Sequence, residues 1–148
     1  MFIAVLNNEG ASLSANSTCQ WEIASASVDG VRVRALDTAN AYAFVGVVDA
    51  AIADQAYGLV QIYGYRSTSA VLTTDTSITT GVPLQAPVAQ TYFQSENSVY
   101  TSNADFTRRP IYAVLLESIT TSTGNVSRKI FIRAMQIMLA LMLGGSVV

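Results

Sequence analysis

Residues 57–86, YGLVQIYGYRSTSAVLTTDTSITTGVPLQA, decide how this chain reads. Side chains alternate across a β-strand, so Leu59, Gln61, Tyr63 and Tyr65 share one face and Val60, Ile62, Gly64 and Arg66 the other. The polar run Arg66-Ser67-Thr68-Ser69 is expected to bend the chain before a second strand over 70–74. Asp75-Thr76-Ser77 turns it again, and Gly81 and Pro83 end the unit. Two strands and a turn-rich return define a β domain, and no catalytic group stands out among them.

Outward from this stretch the same two-residue period recurs. Phe2 to Leu6 is a short apolar run, followed by the turn-forming Asn7-Asn8-Glu9-Gly10. Residues 11–18 are small and polar, either a loose terminus or an arm that orders on a partner. Residues 19–26 carry the single tryptophan, Trp21, read as a core or interface anchor. Val31, Val33 and Ala35 alternate with Arg32 and Arg34. The two arginines then lie on one strand face, about 7 Å apart; they pair with a partner's carboxylates or stand in solvent. Residues 41–48 are small and apolar, and 49–56 (DAAIADQA) read as a helical turn or a linker. Residues 88–105 form a polar, aromatic excursion holding one hairpin. Residues 111–116 and 127–133 (SRKIFIR) read as an antiparallel hairpin around a Ser/Thr-rich loop that ends in Gly124-Asn125. No strict internal repeat is visible.

The last stretch, residues 134–148, is AMQIMLALMLGGSVV. Met135, Met138, Leu139 and Met142 fit helical spacing, and with Leu141 the run is apolar almost all round. It falls short of the ~18 apolar residues a membrane-spanning helix needs. It packs on its own barrel or on a neighbouring subunit, a surface to which the flexible thioether of methionine adapts.

These readings predict a mostly-β fold: a small single-domain β-barrel or β-sandwich with extended terminal segments. The expected divisions are an N-terminal strand and arm over 1–18, the barrel or sandwich over 19–134 and the apolar tail over 135–148. Candidate interaction residues are Trp21, Arg32, Arg34, Tyr63, Tyr65, Met135, Met138, Leu141 and Met142.

The chain has 148 residues, is 51% hydrophobic and only 12% charged, and carries a net charge of −2. That charged fraction is about half the usual quarter. Either part of the surface is buried in an assembly, or Ser and Thr cover a large core. The Lys and Arg residues are scattered, which disfavours nucleic acid as a partner. No basic leader or long apolar span argues for export or for a membrane. The single cysteine, Cys19, has no partner for a disulfide or a zinc site. Histidine is absent, so Ser-His-Asp and Cys-His arrangements are excluded. Asp49 and Asp54 do not make a calcium loop, and no spacing selects a carboxylate pair for glycoside hydrolysis. We therefore expect no catalytic, cofactor or metal site, and no enzyme. Tyr57, Tyr63, Tyr65 and Gln61 form either a sugar-binding patch or ordinary cross-strand packing.

Beyond these physical readings, residues 41–86 resemble a pattern in small head-associated proteins of tailed bacteriophages. There an apolar Gly-Val strand leads into a Y-G-x-V-Q-x-x-G core, a polar turn, a strand and a T-x-x-x-x-G-x-x-L ending. The corresponding residues here are Gly46-Val47, then Tyr57 to Gly64, then Thr76-Ser77-Ile78 through Gly81 and Leu84. The strand Lys129 to Arg133 is similar too; Val82 departs from the acidic residue usual after the late glycine. The resemblance implies a capsid decoration, or cement, protein. Such a protein sits on the outer face of an icosahedral head, often as a trimer, and reinforces junctions between major capsid protein subunits. A tail or baseplate module and a carbohydrate-binding β module are the other expectations to be weighed.

Overall fold

A computed structural model describes residues 1–23, 29–36, 43–73, 78–86, 91–95, 111–120 and 124–133. Its strands are β1 (Phe2–Asn7), β2 (Thr18–Trp21), β3 (Arg32–Ala35), β4 (Phe44–Val48), β5 (Tyr57–Gln61), β6 (Tyr63–Thr73), β7 (Pro83–Gln85), β8 (Phe93–Ser95), β9 (Ala113–Leu115) and β10 (Gly124–Arg133). The fold is mostly β, as expected. The strands close into two barrels of five, ordered β1-β3-β2-β4-β5 and β10-β6-β8-β7-β9. Closure leaves neither sheet an open edge.

The two barrels share one topology. The first strand of each pairs in parallel with the third, β1 with β3 and β6 with β8. Every other neighbouring pair is antiparallel. Equivalence extends to single residues. Thr18 opposite Val47 and Cys19 opposite Gly46 correspond to Pro83 opposite Val114 and Leu84 opposite Ala113. Outside the strands, Leu13 bridges Ile52 and Ile78 bridges Ile119. Leu13 and Ile78 each stand five residues before the second strand of their barrel, and Ile52 and Ile119 each five residues before the fifth. Asn16 and Gly81 occupy one turn position, both with positive φ (66° and 90°). Their amides donate to the carbonyls of Val48 and Leu115 at 2.9 and 2.8 Å. The chain is thus a tandem pair of one five-stranded unit, although no strict repeat shows in the sequence.

The barrels meet at Ile62, where one extended segment leaves the first and enters the second. Met1 clamps this crossing. Its carbonyl accepts from the Ile62 amide at 3.0 Å, and its ammonium donates to the Tyr63 carbonyl at 2.7 Å. Gly64 turns the chain with φ +102°, where a Cβ would be strained.

Several expectations change here. Residues 66–69 are not a bend; they are the middle of β6, with Arg66 opposite Ile130 and Ser69 opposite Arg128. Ser and Thr fit a pleated strand when a partner supplies the ladder, and β10 does so. The polar residues are accommodated by a register shift between Arg128 and Ile130. Residues 49–56 form no helix, because Ile52 is tied into the bridge to Leu13 and is 3% exposed. Gly124 and Asn125 belong to β10 rather than to a turn, and Gly124 has φ +122°. The β9–β10 hairpin is as predicted, with Leu115 opposite Ile130. Pro83 opens β7, the position where a missing N–H costs least. Of residues 88–105 only 91–95 are described; they hold β8. The tail, with Met135, Met138, Leu141 and Met142, lies outside the described residues.

Each barrel has its own core. The first is built on Val5, Leu13, Cys19, Val33, Val45, Val48, Ile52 and Val60. The second contains Val71, Leu84, Phe93, Leu115, Ile130 and Ile132, and extends across the seam to Leu36, Phe44 and Val47 of the first. Phe44 stacks on Tyr112 (centroids 4.2 Å apart) and meets Phe93 edge-on at 5.8 Å. Strand β4 is therefore buried on both faces, which its unbroken apolar sequence FVGVV suits.

Candidate functional site

Strand parity predicts that Tyr63 and Tyr65 share a face, and pairing extends that face across the first barrel. Phe2 lies opposite Gln61, Ala4 opposite Leu59 and Leu6 opposite Tyr57. The outward side chains are Phe2, Ala4, Leu6, Tyr57 and Leu59, continuing past the seam into Tyr63 and Tyr65. None is charged. Tyr57 is 71% exposed, Tyr65 55%, Leu59 50%, Phe2 48% and Tyr63 41%. At ~200 Å² for a full aromatic side chain, this ladder presents several hundred Å² of apolar surface, at or above the largest patch usual on a monomer. Tyr63 is steadied by Phe131, edge-on at 5.3 Å. Phe2 and Leu59 were not singled out from the sequence. The signal was there in the alternation of β1, but only the β1–β5 register puts the two strands side by side.

The other sequence candidates fall elsewhere. Trp21 ends β2 opposite Val33 and packs, half-buried, against the first core. The arginines of β3 find carboxylates within the chain. Arg32 lies 3.4 Å from Asp29, and Arg34 lies 3.6 Å from Glu9 and 3.7 Å from Glu22. The Val31 and Arg32 amides, with the Arg32 charge, hold the Asp29 carboxyl below the usual range. Glu9 also accepts from the Ala35 amide at 2.8 Å, so this cluster ties the β1–β2 loop to β3.

A residue that sequence reasoning passed over, Arg66, is the polar centre of the seam. It is 7% exposed. From β6 its guanidinium reaches Asp49 Oδ1 (3.1 Å), Gln61 Oε1 (3.2 Å), Asn16 Oδ1 (2.8 Å) and the carbonyls of Val48 (3.0 Å) and Asp49 (3.3 Å). All five acceptors belong to the first barrel, so Arg66 staples the two together. Its planar fork of donors suits this, where a lysine would supply only a point charge. Around it opens a cleft of about 360 Å³ lined by Phe2, Asn16, Asp49, Gln61, Tyr65, Arg66, Ser67 and Thr68. Gln61, placed with the tyrosines by parity, is buried and donates to the Tyr65 carbonyl at 2.8 Å.

Among the described residues no three His, Cys, Asp or Glu side chains converge as metal ligands, and no helix is long and apolar enough to cross a membrane. Cys19 is fully buried in the first core, and burial pushes its thiol up to about 12. That is the opposite of what a nucleophile needs. Set beside known proteins, the chain matches no protein-family model and no curated protein.

Proposed function

We propose that this chain is a structural protein of a tailed-phage virion, a decoration protein that binds the outer face of the head and stabilises contacts between major capsid protein subunits. The observation that carries the reading is the uncharged ladder Phe2, Ala4, Leu6, Tyr57, Leu59, Tyr63 and Tyr65, exposed along a stapled pair of barrels. It accords with a chain only 12% charged and with the resemblance of residues 41–86. The mechanism is mass action: a ligand that binds only the assembled lattice stabilises that lattice. Each large side chain buried from the ladder contributes about 1.5–3 kcal/mol, and a head repeats the contact many times.

The test is binding of purified protein to heads that lack it, read by co-sedimentation. The double substitution Tyr57→Asp, Leu59→Asp should leave the circular dichroism unchanged and weaken binding at least tenfold. Undiminished binding would exclude this face. A cryo-microscopy map placing the chain on the tail would favour a tail module instead.

The cleft around Arg66 favours a second reading, carbohydrate binding. Two exposed rings, Phe2 and Tyr65, flank a floor of fixed amide, hydroxyl and carboxylate groups. A glycan array that shows no binding would remove it.

A further inference from the structure

Within the chain, one side of the first barrel is covered by the second. The covered side runs along β4: Phe44 is 6% and Val47 0% exposed. At its margins Asp49 takes the Arg66 staple, and the Thr18 amide donates to the Thr91 carbonyl at 3.0 Å. Because the barrels are equivalent strand for strand, the second carries the same side on β9. The counterparts of Phe44, Val47 and Asp49 are Ile111, Val114 and Leu116, and Pro83 stands for Thr18. There Ile111, Pro83 and Val114 are only half-buried, and Leu116 is 38% exposed. The groups that approach β4 are Arg66 and Thr91. Their counterparts on the first barrel are Ile3, which is half-buried, and Val31, which is 36% exposed. Among the described residues, each end of the molecule therefore shows one half of a contact that is made once in its middle, left half-buried or exposed.

The chemistry has changed in step on both halves. Where Arg66 meets Asp49 within the chain, the free ends offer Ile3 and Leu116. Where Thr18 meets Thr91, they offer Pro83 and Val31. The Arg66–Asp49 ion pair is replaced by two aliphatic side chains, and the uncharged Thr18–Thr91 pair by Pro83 and Val31, so the two ends meet without an unpaired ion.

We infer that a second copy of this chain docks head to tail, its first barrel seating on the β9 side of the preceding copy's second barrel. The contact continues the barrel–barrel interface already present in each molecule. Being heterologous, it repeats into a closed ring, or into a filament if the rotation does not close. This inference does not rest on the phage-head reading and survives its failure.

Cysteine cross-linking tests it cleanly, because the natural thiol, Cys19, is buried and its pKa is raised to about 12. Val31→Cys and Pro83→Cys are prepared as separate single variants and joined with a short bis-maleimide. The expected result is no cross-link in either variant alone, a dimer when the two are mixed, and a ladder of multimers from the double variant. Light scattering of the unmodified protein at tens of micromolar should give a multiple of the chain mass. Leu116→Arg, at an exposed position, should reduce it to a single chain with unchanged circular dichroism. Self-cross-linking of a single variant, silence on mixing, a monomeric unmodified protein, or multimers persisting in Leu116→Arg would each overturn the inference.

Discussion

The two barrels have the same strand order and, apart from the shift in the β6–β10 pair, the same register, yet their cores differ in size at most shared positions. Cys19, Val33, Val48 and Val60 in the first correspond to Leu84, Phe93, Leu115 and Ile130 in the second, and Gly46 corresponds to Ala113. All ten of these residues are buried, and in each pair the first barrel carries the smaller side chain. The loop bridges, Leu13 with Ile52 and Ile78 with Ile119, keep their size. One topology is thus compatible with two core volumes. What the barrels hold in common is hydrogen-bond register, the bridge between two loops, and a positive-φ turn residue before the second strand. Interior packing is close to crystalline density, so the smaller side chains require a tighter barrel, and Gly46 marks where it is tightest. A Cβ there would run into the Gln61 carbonyl and the Val60 side chain.

That contrast can be broken most severely at Gly46. Gly46→Ala should destabilise the protein by about 3 kcal/mol, the upper end for overpacking, because the obstacle is backbone and cannot swing aside. The reverse change at the equivalent site, Ala113→Gly, should cost only about 1 kcal/mol. Chemical denaturation midpoints compare the two; equal effects would mean that the barrels are not packed differently. The seam comes next. Arg66→Ala removes five hydrogen bonds between the barrels and should cost about 2 kcal/mol. Asp49→Asn, at a carboxylate that is 44% exposed, should cost less than about 1 kcal/mol. If the two are equal, the ion pair rather than the donor network holds the seam.

The second barrel also carries an unfavourable residue. Gln85 is 1% exposed, and neither its Nε2 nor its Oε1 has a partner. Gln85→Met keeps the shape and removes the unmet polar groups, so a stabilisation of about 1 kcal/mol is expected; a loss would show that the amide is satisfied in solution. At neutral pH the smallest effect on stability is that of Cys19, whose thiol ionises at 9.0 when unperturbed and at about 12 when folded. A folded value above the unfolded one means stability is intact below pH 9 and declines as pH rises from there toward 12. At pH 8 a thiol reagent should react about a thousandfold more slowly with the native chain than with the denatured one. Rapid stoichiometric labelling of native protein would show that the first core is open.

Much of the strand content was legible in the sequence because alternation is local. Arg32 to Ala35 and Ile130 to Arg133 announce strands through their own neighbours, and the β9–β10 hairpin follows from two such runs around one loop; the single strand expected from Leu59 to Arg66 is instead broken at Ile62 between β5 and β6. The absence of histidine and the scarcity of charge likewise need no fold to be read. The polar stretch 66–69 misled, since Ser and Thr suit a turn or a strand equally and only β10 decides between them.

What the sequence determined by itself is therefore the strands whose alternation is unbroken, the low charge and the absence of histidine. What only the tertiary structure decided is the division into two closed barrels at Ile62, their equivalence, and the Arg66 staple between them. The physical reason is that these depend on pairings between distant residues, such as Phe2 with Gln61 and Thr73 with Gly124. A barrel asks only that inward positions be apolar. Cys19 and Leu84 can therefore fill the same place while the sequence shows no repeat, and unequal loops shift the spacing from strand to strand. An arginine in a polar run looks solvated until the fold brings five acceptors from another barrel around it.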